Sequence, residues 1–284
     1  MKNTAVEEEN FELTYQDEHR RAIRGVVSRP TGARDDQAPA VLILHGFKGF
    51  MDWGFFPLLA CGLAETGFTA VRFNTSGSGV GADGVDFSDL AAFERDTFSR
   101  QLEDVKRVHE HLLSGALGGV DADHIGMVGH SRGGGMALLH AAHCPVQALV
   151  TWAAIDSVTN FFDEPTVESW RSDGFLDIPN SRTGQIMRVG SAMLEDVEQN
   201  SEDLDILSAA RKIEAATLVL HGSADEAVDP GAADCIREVM SNVELEIKPG
   251  AGHTFGATHP LEEVVPELEW LLARTLGHLL THLT

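Results

Sequence analysis

The sequence predicts an α/β protein: a mostly parallel eight-stranded sheet with helices on both faces and one inserted segment. Three observations carry this. Short apolar runs without polar alternation recur along the chain, the pattern of strands covered on both faces. Helix-length segments separate them, as right-handed crossovers require. One interval, between Ala154 and Ala216, is 61 residues long, well beyond a single crossover helix.

The elements follow in order. Phe11–Tyr15 and Ile23–Val27 read as an antiparallel pair joined by a charged turn. Residues 30–39 form a polar loop. Ala40–Leu44, followed by His45 and Gly46, is a continuous apolar run of the central parallel kind. A helix over Phe55–Glu65 is closed by Gly67, and Thr69–Asn74 is the next strand. A glycine-rich loop, residues 75–84, precedes a long amphipathic helix over Leu90–Leu113. The strand His124–Val128 and a helix from Gly133 to Ala142 come next, then strands at Ala148–Ala154, Ala216–Gly222 and Val243–Lys248. A helix near Leu261–Leu280 ends the chain. Residues 156–205 are expected to form a cap inserted into a single domain, whose core is residues 1–155 and 206–284.

Composition bounds the function. The chain has 284 residues, ordinary hydrophobic and charged fractions of 43% and 23%, and a formal net charge of −23. Only five of its 21 basic residues are lysine. Such a surface repels nucleic acid and anionic membranes, and it suits solubility or adaptation to high salt. The N-terminal residues lack the apolar core of a secretory signal, and no apolar run reaches the roughly 20 residues of a membrane span. Three widely spaced cysteines fit no metal-ligand spacing, so no metal is expected and the thiols suit a reducing, cytoplasmic setting.

Gly129-His130-Ser131-Arg132-Gly133 fits G-x-S-x-G. A strand precedes it and a helix follows, which is the setting in which a strained turn lifts a serine hydroxyl above a sheet edge. The alternative is a glycine-rich strand–helix junction whose serine merely caps the helix. A nucleophilic serine needs a histidine to take its proton and a carboxylate to orient that histidine, here in the order Ser, Asp/Glu, His. Asp225 lies where the chain leaves the strand Ala216–Gly222, with Glu226 and Asp229 as alternatives. Asp229 precedes Pro230 and suits a helix N-cap. His253 follows the last strand in Gly250-Ala251-Gly252-His253, whereas His259, before Pro260, is expected to start the final helix. Most other histidines read as surface or satisfied core residues. The backbone N–H groups of Arg132 and of Phe47, in the loop after the third strand, are the candidate oxyanion donors.

Within the cap, Phe161, Phe162, Trp170 and Phe175 either line an acyl pocket or form the cap's own core. The polar stretch Asn180–Gln185 either meets a substrate carboxylate or hydroxyl or starts a helix, the helix start being the plainer reading.

His45-Gly46-Phe47, Asn74–Gly79, Gly129–Gly133, His221-Gly222 with Asp225 and Val228, and Gly250-x-Gly252-His253 together resemble the α/β-hydrolase superfamily. The resemblance spans about Phe11 to Leu280. It is nearest to bacterial carboxylesterases of the dienelactone hydrolase, prolyl-oligopeptidase-type and cinnamoyl (feruloyl) esterase group. It implies the α/β-hydrolase fold and a cofactor-free enzyme acting on a small-molecule ester; both a monomer and a homodimer fit the sequence. A serine nucleophile speaks against dienelactone hydrolase chemistry, the lack of a preceding propeller against an oligopeptidase. The short cap resembles that of cinnamoyl esterases. The expected activity is therefore cleavage of carboxylic esters with small or aromatic acyl groups through an acyl-enzyme. An amidase, peptidase or thioesterase would use the same residues, and a non-catalytic ligand-binding homologue is the rival outside enzymology.

Overall fold

The structure, a computed structural model, describes residues 5–16, 21–33, 37–159 and 162–284. Its main sheet begins with β1 (Val6–Leu13), β2 (Ile23–Pro30) and β3 (Ala38–Leu44). α1 (Phe56–Glu65) leads to β4 (Thr69–Asn74), and α2 (Leu90–Glu94) and α3 (Phe98–Leu113) lead to β5 (Val120–His130). α4 (Arg132–Ala141) and β6 (Ala148–Trp152) follow. The inserted stretch then holds α5 (Glu164–Asp173), the hairpin β7 (Phe175–Pro179) and β8 (Ile186–Gly190), and α6 (Ser191–Gln199). α7 (Ile206–Ala210), β9 (Ala216–Gly222), α8 (Gly231–Val239), β10 (Val243–Lys248) and α9 (Pro266–Leu283) complete the described chain.

Eight strands form one sheet in the order β1-β2-β4-β3-β5-β6-β9-β10. β2 runs antiparallel to both β1 and β4, while all pairs from β4 to β10 are parallel. Every βα loop of the parallel part therefore opens at one sheet edge, where ligands of such sheets bind. Two apolar layers cover the sheet. One packs α1 and α9 on it through Phe56, Leu59, Leu63, Leu268 and Leu271. The other packs α3, α4, α7 and α8 and runs on into the insertion through Trp170, Val189 and Met193. Within the first layer, the buried Trp152 donates its indole N–H to Thr275 Oγ1 at 2.9 Å, so even its one polar atom is satisfied.

Besides strands that run longer than expected, such as β2 to Pro30 and β5 from Val120, four expectations change here. β1 begins at Val6, because Glu7–Asn10 lie on an edge strand with a solvated face and pair residue for residue with β2. The helix expected over Leu90–Leu113 is two helices. Thr97 takes an extended conformation (φ −141°, ψ 162°) and accepts from the Arg100 N–H, which ends α2 and starts α3. The break buries Asp96. His259 does not start the last helix: α9 begins at Pro266, and His259 Nδ1 instead accepts from the Gly54 N–H at 3.1 Å. Finally, Asn180–Gln185 is the turn of the β7–β8 hairpin rather than a helix start. Its ends close through Asn180 N–H to Gln185 O and Gly184 N–H to Asn180 O, both 2.8 Å.

Candidate active site

Ser131 sits between β5 and α4 with φ 57° and ψ −122°. A non-glycine residue there is strained by about 1–3 kcal/mol, and surrounding bonds must hold it. The Ser131 N–H donates to Trp152 O at 2.8 Å, and Ser131 O accepts from the Gly134 N–H at 2.9 Å. Close packing enforces the same turn. A Cβ on Gly133 would lie 2.5 Å from the carbonyl oxygens of Leu44 and His45, so only glycine lets α4 start against the end of β3. A Cβ on Gly46 would lie 3.0 Å from the Cβ of Ser131, which puts the His45–Phe47 loop directly against the serine turn.

The loop after β9 supplies the carboxylate. Asp225 Oδ1 accepts from the N–H groups of Ala227 (2.8 Å) and Val228 (3.0 Å), leaving Oδ2 for side chains. His253, on the loop after β10, places Nδ1 2.8 Å from Oδ2. His221 Nε2 lies 3.1 Å from Oδ2 and 3.1 Å from Val228 O, one N–H shared between two acceptors. Burial alone would raise the Asp225 carboxyl, but the bonds from His221, His253 and Val228 outweigh it and hold the group well below the usual carboxylate range. Asp225 is thus an anion with both oxygens occupied. Neither Glu226 nor Asp229 makes such contacts, and Asp229 Oδ1 accepts from the Gly231 N–H at 2.7 Å in a local turn.

Two histidines read as ordinary from sequence belong to this cluster. His221 is fully buried beneath Asp225, its Nδ1 without a partner among the described residues. His130 places Nε2 3.0 Å from the His253 carbonyl oxygen, with the two rings 4.7 Å apart. Burial first, then the neighbouring His253, push His130 down to about 3, so it is neutral and donates to that carbonyl. The signal for both was position, immediately before the nucleophile and at the end of β9; pattern alone does not separate such residues from core histidines.

Ser131 and His253 line one open cavity of about 490 Å³ with Phe47, Trp53, His130 and His259. Phe47 also borders a second cavity of about 260 Å³, under the insertion, whose walls include Val158, Phe162, Trp170, Met193 and Val197. Of the four cap aromatics, Phe162 and Trp170 border this cavity with rings edge-on at 5.7 Å, and Trp170 is at the same time buried in the core. Phe175 does not: on β7 it stacks against the Arg188 guanidinium at 3.5 Å, away from the cavity. Phe161 lies outside the described residues.

The Arg132 side chain borders the cavity under the insertion, beside Phe47. Its guanidinium lies 4.1 Å from the Phe47 ring centre and 4.6 Å from that of Phe98. Burial pulls it down to about 10, while the field of Asp96 works in the opposite sense. Asp96 itself is pushed up by burial to about 7, against the hydrogen bond it accepts from Gln101 and the charge of Arg132. The residues bearing the two candidate oxyanion N–H groups are therefore clasped together by their side chains. Among the described residues no cluster of metal-ligating side chains occurs, and no helix is long and apolar enough to cross a membrane.

This architecture and residue order can be set beside known proteins. Residues 53–277, most of the chain, match the prolyl oligopeptidase family. The chain belongs to that family. No curated protein matches it significantly. Solved structures share the family's hydrolase fold at low identity. A hydrolase described as putative, from Agrobacterium vitis S4, superposes with a TM-score of 0.72 at 19% identity over 97% of this chain and 99% of its own. Est1E from Butyrivibrio proteoclasticus, solved with ferulic acid bound, gives 0.70 at 21% identity over 92% and 95%. The α/β hydrolase GrgF from Penicillium sp. sh18 gives 0.69 at 22% over 98% and 99%. The family match and these neighbours make the protein an α/β-fold hydrolase.

Proposed function

We propose that this member of the prolyl oligopeptidase family is a serine hydrolase of carboxylic esters, with Ser131, His253 and Asp225 as its catalytic residues. The observation that carries the reading is the Asp225–His253 bond of 2.8 Å at the wall of the cavity that holds the strained Ser131. Asp225 fixes the proton on His253 Nδ1, which leaves Nε2 with the lone pair a general base needs. In the proposed reaction, Nε2 takes the Ser131 hydroxyl proton as Oγ bonds to the ester carbonyl carbon. The carbonyl oxygen becomes an anion held by the Phe47 and Arg132 N–H groups, the second at the positive end of α4. Collapse breaks the bond to the leaving alcohol, which departs with the proton from His253. Water then repeats the sequence on the acyl-enzyme and returns the serine.

The cavity under the insertion suits the acyl group. It is walled by Val158, Phe162, Trp170 and Met193 and adjoins Phe47, so an acyl chain whose carbonyl oxygen meets the Phe47 N–H extends into it. Small and aromatic acyl groups fit this reading, while the open cavity remains for the alcohol. The test is turnover of p-nitrophenyl esters of increasing acyl length together with methyl ferulate. Val158 is half-buried on the cavity wall, so Val158→Phe should fill space without opening a hole. It is expected to lower kcat/KM for hexanoyl and feruloyl esters about tenfold relative to acetate, the size of one or two methylenes of lost fit. Equal losses on all esters would place the acyl group elsewhere.

A further inference from the structure

The open cavity beside Ser131 differs in charge from the rest of the molecule. Acidic residues outnumber basic ones 44 to 21 over the chain, yet none lines this cavity, whereas Lys48 and Arg182 both do. Among the described residues neither cation forms an ion pair. Lys48 Nζ donates only to Pro179 O, at 3.1 Å, and the Arg182 guanidinium rests 5.2 and 5.5 Å from the rings of Phe50 and Phe87. Arg72 and Arg188, by contrast, face carboxylates at hydrogen-bond distance.

Both cations are held in place. Lys48 has φ 54°, a left-handed conformation that glycine would adopt without strain, and it directly follows Phe47. Its half-buried ammonium is pulled below the ordinary lysine range by desolvation, a cost that an anionic partner would offset. Arg182 projects from the hairpin turn, which is braced by Asn180 Oδ1 accepting from the Arg182 N–H at 3.2 Å and by Gln185 Nε2 donating to Phe87 O at 3.0 Å. The Lys48–Pro179 bond ties this hairpin to the loop carrying the candidate oxyanion donor.

From this geometry we infer that the leaving group of the natural substrate carries an anionic oxygen group, carboxylate or phosphate, bound between Lys48 and Arg182. The inference rests on the ester-hydrolase reading above and specifies its substrate class. The anion is assigned to the open cavity because that one has two cations and no carboxylate in its lining, whereas the apolar cavity sets Glu164 and Glu198 against the single cation Arg132.

The experiment compares three phenyl acetates that differ only at the para position: 4-acetoxybenzoate, 4-acetoxyphenyl phosphate and the neutral 4-acetoxybenzamide. At low ionic strength, kcat/KM for at least one anion should exceed that for the amide about tenfold, the size of one charge-assisted contact discounted for exposure. The ratio of benzoate to phosphate identifies the anion. Lys48→Gln and Arg182→Gln should each bring the anion-to-amide ratio down severalfold. Arg188→Gln, which removes a cation from the same hairpin outside the cavity, should leave the ratio unchanged. A wild-type ratio near one, or equal loss in all three variants, overturns the inference even if all esters turn over. Should none turn over, calorimetric binding of 4-hydroxybenzoate and 4-hydroxyphenyl phosphate against 4-hydroxybenzamide decides the anion site alone, while the ester-hydrolase reading fails separately.

Discussion

Replacing Ser131 with alanine is expected to lower ester turnover by roughly 10⁵-fold or more while leaving the melting temperature within a few degrees of wild type. The first part follows from chemistry: without Oγ no acyl-enzyme forms, and only the oxyanion donors and binding remain. The second follows from the backbone. Alanine and serine suffer alike at φ 57° and ψ −122°, and the bonds that hold this turn come from main-chain atoms. Ser131→Gly separates the two effects. It should be equally inactive but more stable than Ser131→Ala by about 1 kcal/mol, because glycine relieves the strain, with part of the gain lost to its freer unfolded chain. Turnover assays, labelling by a fluorophosphonate and thermal melts of the three proteins check this. Wild-type-like turnover in Ser131→Ala would remove Ser131 from the mechanism, and a glycine variant no more stable than alanine would remove the strain.

How much of this was legible in the sequence depended on whether the cause was local. β4, β9 and β10 are readable to the residue, because each is an apolar or alternating run bounded by glycine or polar turn residues. The break between α2 and α3 was not readable. The helical apolar stripe continues through Asp96 and Thr97, and the Thr97 cap that restarts the helix is a single side-chain bond to the Arg100 N–H, made where Asp96 is buried near Arg132. The polar stretch Asn180–Gln185 has the composition of both a helix cap and a hairpin turn. Pairing of β7 with β8, a contact beyond any local pattern, decides between them. At the site, the order of Ser131, Asp225 and His253 was legible because each follows its own strand. The roles of His130 and His221 were not, since a neutral histidine braced on a carbonyl and one sharing a carboxylate look alike in sequence. Phe175 shows the same limit on β7, where the alternation of faces sends it to Arg188 instead of the cavity.

Asp225→Asn should reduce kcat by about 10⁴-fold and make stability less sensitive to acid. The asparagine keeps an oxygen for the Ala227 and Val228 N–H groups, so the turn after β9 survives. It then turns its amide N–H₂ toward His253 Nδ1, which must accept rather than donate, and the proton moves to Nε2, the atom that has to be bare for catalysis. The same amide faces the His221 N–H, donor against donor in a fully buried place, so a loss of about 3 kcal/mol at neutral pH is expected. The pH dependence has a definite sign. The Asp225 carboxyl titrates lower in the folded chain than in the unfolded one, where an aspartate titrates at about 3.9. Its stabilisation is therefore present above about pH 4 and lost as pH falls below that, since only then does the unfolded chain gain a proton that the folded one refuses. Asparagine has no proton to gain. The gap in unfolding free energy between wild type and Asp225→Asn should be widest near pH 7 and narrow steadily below pH 4. Denaturant melts at pH 7, 4 and 3 measure it. A gap constant across that range would mean that Asp225 is not held as an anion by His253 and His221, and the orienting role assigned to it would fall with that bond.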